Sequence, residues 1–216
     1  MRVPEIENYS AAVDLLTLSL TKPIPIERSY MIVNDKDKVK LIKTIERIVR
    51  GSIEYKQYIK FLKDEIDMTC CSFFNNVNSE TPRVRLEIHH EPFTLFDITN
   101  IVLTKYIDEE LPINPLMIAE EVMLLHYRNM VGLIPLSTTV HGLVHDGRLV
   151  IPLQCVYGAY TSFIDEYFKY IPEDVLNALQ AKIELSKDIQ KVDTSILNKR
   201  YVYLDVEGFT LPKIVE

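Results

Sequence analysis

Two stretches decide how this chain folds: RVRLEIHHEP at residues 83–92 and GLIPLSTTVHGLVHDGRL at residues 132–149. In the first, Val84, Leu86 and Ile88 alternate with Arg85 and Glu87, the period of a half-buried strand. That strand ends in His89–His90, ahead of Glu91–Pro92. Successive strand residues point to opposite sides, so two neighbouring histidines there serve two different environments. In the second stretch, VGLIPL reads as a short extended run and STTVHGLVHDG as a short helix. Ser137 or Thr138 caps its start and Asp146–Gly147 ends it. His141 and His145 lie four apart and so share one helix face, where they can bind one ion together.

Around these stretches the chain reads mostly as helix. From Lys36 to Ile66, Leu41, Ile45, Ile48, Tyr55, Ile59, Leu62 and Ile66 fall on one face, and Gly51 is a break point. A second face carries Lys36, Lys40, Lys43, Arg47 and Arg50. Between Lys36 and Lys63 nine basic residues stand against three acidic ones, a local surplus of six in a chain whose net charge is −7. MTCCSFFNNV (68–77) is predicted as a strand paired with RVRLEIHH across the turn NSETP. Thr94 to Glu110, with Thr94 or Asp97 as cap, and Asn114 to Met130, with Pro115 at the first position, are predicted helices. RLVIPLQ (148–154) is predicted as a strand, and Ser162–Tyr170 and Pro172–Lys187 as closing helices. A short helical pattern at 11–20, the Pro-punctuated TKPIPIE and an alternating tail, RYVYLDVEGF (200–209), complete the chain.

The 216 residues are enough for a sizeable buried core. Apolar residues are 47% and charged residues 25%, which excludes disordered and collagen-like chains. Three cysteines without a C-x-x-C spacing exclude a disulfide framework and point to free thiols in a reducing compartment. The acidic net charge argues against a protein that coats nucleic acid unspecifically. No basic-then-apolar leader and no long apolar run occurs, so the expectation is a cytoplasmic protein with no membrane partner.

Glu87-Ile88-His89-His90-Glu91, then Leu133–Leu136, then His141, His145 and Arg148, together resemble the HNH (ββα-metal, His-Me finger) nuclease motif, in the version found in colicin-type DNases. The likeness covers residues 83–150. It implies an α+β fold with a ββα-metal core, a helical insertion between its two strands and additional flanking helices. The organisation expected is an arm and basic helix at 1–82, the HNH-like core at 83–155, and C-terminal helices with an extended tail at 156–216.

The resemblance also implies roles. His89, His141 and His145 would hold one divalent ion (Mg²⁺, Mn²⁺, Ni²⁺ or Zn²⁺). His90 would be the general base toward water, and Glu87 would steady the ligand geometry. Arg85 or Arg148 would meet phosphate, and the basic face at Lys40, Lys43, Arg47 and Arg50 would hold a DNA backbone. The implied activity is hydrolysis of DNA phosphodiesters to 5′-phosphate and 3′-hydroxyl ends. Phosphodiester hydrolysis needs a Lewis acid and a base active near neutral pH, which a metal ion and an imidazole supply.

Two features depart from the family pattern. Gly132 stands where the family has an Asn that orients the catalytic imidazole, with Asn129 the nearby substitute. The separation from His90 to Gly132 is also 42 positions, far beyond a compact motif. Both favour an alternative: a non-catalytic binding or assembly protein on an HNH-like scaffold, such as a phage structural or complex subunit. Its helical additions would then contact protein partners or further copies. A plain α+β domain with coincidental histidines predicts instead that the two histidine pairs lie far apart.

Overall fold

The computed structural model describes residues 32, 34–74 and 76–189. The pattern at 11–20 and the tail at 200–209 lie outside them. Among the described residues the chain is mixed helix and strand, with a two-stranded antiparallel sheet.

The long amphipathic stretch forms α1 (Asp35–Gly51) and α2 (Ile53–Asp64). The division falls at Ser52, whose hydroxyl accepts from the Tyr55 N–H and thereby starts α2. Leu41, Ile45, Val49 and Leu62 are fully buried. Each such side chain contributes roughly 1.5–3 kcal/mol relative to exposure. The opposite, basic face is exposed.

The strand β1 (Leu86–His90) pairs with β2 (Leu133–Ser137), His89 opposite Ile134 and His90 opposite Leu133. This corrects the expected pairing of 68–77 with β1: that segment makes a single bridge, Cys70 to Asn78. It lies instead beside β2, where the Ser72 N–H donates to the Pro135 carbonyl. Pro135 has no N–H of its own to give a ladder. Residues 148–154 likewise form no strand. They run into a single 3₁₀ turn (Leu153–Cys155), and only Tyr157 bridges to Leu133.

Between β1 and β2 lie α3 (Leu95–Asp108) and α4 (Pro115–Tyr127). The Thr94 hydroxyl accepts from the Asp97 N–H and the Asp97 carboxylate accepts from the Thr94 N–H, so both expected caps act as one capping box. Asn114 caps α4, with Pro115 at its first position. These two helices pack on each other and on α1, so the insertion adds to the core without parting the strands.

After β2, Ser137 caps α5 (Thr138–His145), which lies across both strands. Gly147, at φ 67°, turns the chain away. Helices α6 (Tyr160–Tyr167) and α7 (Glu173–Ile189) close the described chain, joined by a 3₁₀ turn at Phe168–Tyr170. No described helix is long and apolar enough to cross a membrane.

Candidate metal centre

The antiparallel β1–β2 pair and α5 bring the two histidine groups to one place. One ring nitrogen from each of His89, His141 and His145 lies within 4.8 Å of the other two. A chance scattering of histidines predicts distant pairs; these meet. The Nε2 atoms of His141 and His145 are 3.1 Å apart. Two ligand nitrogens on a tetrahedral zinc ion are about 3.3–3.4 Å apart, given Zn–N near 2.0–2.1 Å, so the spacing suits a shared ion.

A carboxylate stands behind two of the three rings. Glu87 Oε2 lies 2.6 Å from His141 Nδ1, which fixes that nitrogen as the proton carrier and leaves Nε2 for a ligand bond. Burial is the first cause holding the His141 pKa below its ordinary value; His89 and His145 add to this, while Glu87 opposes it. Glu91 Oε2 lies 3.5 Å from His89 Nε2. Neutral imidazoles are what a divalent ion requires.

His90 faces the other side of the strand, as the pleat dictates. Its ring is buried against Tyr55, and its Nε2 lies 3.1 Å from Nε2 of His126. His126 Nδ1 sits 2.7 Å from the Val122 carbonyl, an acceptor only, so that nitrogen carries the proton. In the neutral pair, His126 Nε2 therefore accepts and His90 Nε2 donates. The free lone pair of His90 is then on Nδ1. Burial drives both pKa values down, His126 to about 4 and His90 well below the ordinary value. From sequence, His126 reads as a surface or packing residue; its partnership with His90 has no sequence signature, because the two are 36 positions apart.

A cavity of about 630 Å³ opens on this region. His89, His90, His141 and His145 line it, as do Glu87 and Arg85. Arg50 and Lys63 add positive charge from α1 and α2. Arg85 is largely exposed and reaches Glu87 at 3.4 Å. Lys40, Lys43 and Arg47 are exposed on α1, and Arg148 is exposed after α5; none of these four lines the cavity. Lys63 was legible only as one of the nine basic residues of the Lys36–Lys63 stretch.

Asn129 occupies the left-handed position after α4, at φ 57°, where its N–H donates to the His126 carbonyl. Its Oδ1 is buried with no hydrogen-bond partner among the described residues. Gly132 is where β2 meets the exit of β1: the Glu91 N–H donates to its carbonyl at 3.0 Å. A Cβ on Gly132 would sit 1.8 Å from the Glu91 carbonyl oxygen. No side chain fits there, which is a physical reason for Gly at this position.

Residues 18–208 match the family model described as bacteriophage G278-like virion protein. No curated protein and no solved structure matches the chain significantly.

Proposed function

We propose that this chain, which belongs to the bacteriophage G278-like virion protein family, is an assembly subunit of the phage particle that carries one divalent ion on an HNH-like ββα scaffold. The observation carrying the metal reading is the convergence of His89, His141 and His145 from two separated stretches on one point. Glu87 supports it, because a carboxylate on the far nitrogen of a ligand histidine is the usual brace of a metal site. The family description supports the assembly role, in which the helices around the sheet contact neighbouring subunits of the virion.

The test is metal content and particle content together. Purified protein loaded with zinc and dialysed should retain about one ion per chain. The double variant His141→Ala/His145→Ala should retain none. The wild-type protein should also be found in purified virions by mass spectrometry. A wild-type chain that retains no ion ends the metal reading, and absence from particles ends the assembly reading.

A second reading, a metal-dependent DNA endonuclease, is favoured by the cavity. Three protein ligands leave an ion one open position. The histidines line a space flanked by Arg50, Lys63 and Arg85. The ion would supply Lewis-acid charge to a phosphate oxygen. Arg50, Lys63 and Arg85 would hold the phosphodiester by charge, and His90 would take a proton on Nδ1 while His126 holds its Nε2. Plasmid nicking with Mg²⁺, Mn²⁺, Ni²⁺ or Zn²⁺ decides it. Cutting by wild type that His90→Ala abolishes supports the enzyme; no cutting with any metal, or equal cutting by the variant, excludes it.

A further inference from the structure

The residues after β1 tie the metal centre to the last described helix. Glu91 follows His90 directly, and its side chain is only 5% exposed. One carboxylate oxygen, Oε2, faces His89 Nε2 at 3.5 Å; the other, Oε1, meets Lys182 Nζ of α7 at 2.6 Å. The same ammonium donates to the Pro92 carbonyl at 2.8 Å, ninety positions away in sequence. α7 is itself fixed on this side of the molecule. Leu179 and Ile183 are buried, the Ser186 hydroxyl accepts from the Leu153 N–H at 3.0 Å, and the Gln154 side-chain amide donates to the Ser186 carbonyl at 2.9 Å. Lys182 therefore stands at a set place, and the carboxylate it holds is the one beside His89.

We propose that Lys182 is a positioning residue of the metal centre, acting through Glu91 on the imidazole of His89. This rests on the metal reading above. A buried carboxylate without a counter-charge is costly and leaves its site or turns to another partner. With Oε1 held by Lys182, Oε2 stays aimed at His89 and fixes that ring's orientation, as the outer carboxylate of a metal-bound histidine does. A plain structural ion pair pinning α7 to the sheet makes a different prediction: its removal lowers stability and leaves zinc affinity of the folded protein unchanged.

The experiment measures zinc affinity of the full chain by competition with a chromophoric chelator, with urea unfolding of the metal-free protein alongside. Lys182→Met and Glu91→Gln should each weaken zinc binding by about 10-fold or more. Lys182→Arg, which keeps the charge and the donors, should stay within about 3-fold of wild type. In the Glu91→Gln background, Lys182→Met should cause no further loss, because the path runs through that carboxylate. If Lys182→Met does not fold, the weakening by Glu91→Gln and the retention by Lys182→Arg carry the comparison. Wild-type affinity in Lys182→Met or in Glu91→Gln, or losses that add in full in the double variant, overturns the proposal. Failure of the wild type to bind zinc overturns the metal reading itself and is seen before any variant is compared.

Discussion

The two faces of the end of β1 carry the same residue type and opposite chemistry. On one face His89 joins His141 and His145 at the rim of a charged cavity, with Glu87 and Glu91 behind the rings. On the other, His90, which also lines part of that cavity, is packed with His126 between tyrosines, Tyr55 and Tyr58. The difference teaches that adjacency in sequence says little about an imidazole's role. Carboxylates and a shared centre make the first face suited to a cation. Apolar walls and a paired hydrogen bond make the second suited to a neutral pair.

The largest expected effect joins both faces. Gly132→Ala places a Cβ against the Glu91 carbonyl, where the chain enters both environments. Chemical denaturation should show a loss on the order of 4 kcal/mol or more, or no folded protein. Near wild-type stability would mean that the β1 exit moves freely and that the two faces are not held by one joint.

The next test separates the faces by pH. Burial lowers the His126 pKa from 6.5 to about 4. Above pH 6.5 both folded and unfolded chains leave this ring neutral. Below it the unfolded chain takes up a proton that the folded chain refuses, so stability falls as pH drops toward 4. The expected loss is about 3 kcal/mol over that window, with His90 adding in the same direction. His126→Phe should flatten the His126 part of this slope. It should also cost about 1–3 kcal/mol at pH 8, because the buried His90 Nε2–H loses its acceptor. An unchanged slope in the variant would mean that the buried pair is not the source.

On the metal face, Glu87→Gln should weaken zinc binding about 10-fold or more and leave the unfolding midpoint of the metal-free protein nearly unchanged. The opposite pattern would make Glu87 a structural residue like those of the buried face. The smallest effects concern residues outside both faces. Asn129→Gly should be tolerated within about 0.5 kcal/mol and Asn129→Ala should cost roughly 1 kcal/mol, since the left-handed backbone sets the requirement. A large loss of zinc affinity in Asn129→Gly would return that side chain to the site.

Several elements were legible because their signals are local. The apolar stripe of α1 and α2, the Thr94–Asp97 capping box, Pro115 at the head of α4 and Ser137 at the head of α5 depend on neighbours within four residues. The histidines four apart shared a face for the same reason. The failures concern strands. Residues 68–77 and 148–154 alternate or run apolar as strands do, yet a strand needs a free ladder to join, and pairing is decided by distant chain. Ser72 found one carbonyl of β2, and residues 148–154 run into the 3₁₀ turn at Leu153–Cys155, so neither segment extends the sheet.

The local helices, the one-faced basic surface of α1 and the shared face of His141 and His145 follow from the sequence alone, because they rest on a period of 3.6 residues; that His89 rather than His90 joins them was implied only by the resemblance to the HNH motif. Only the tertiary structure decided that His126 would close on His90, that Gly132 would admit no side chain, and that Lys182 would reach Glu91. Each of these depends on segments far apart in the chain meeting at atomic distance, and no periodicity in the sequence encodes such a meeting.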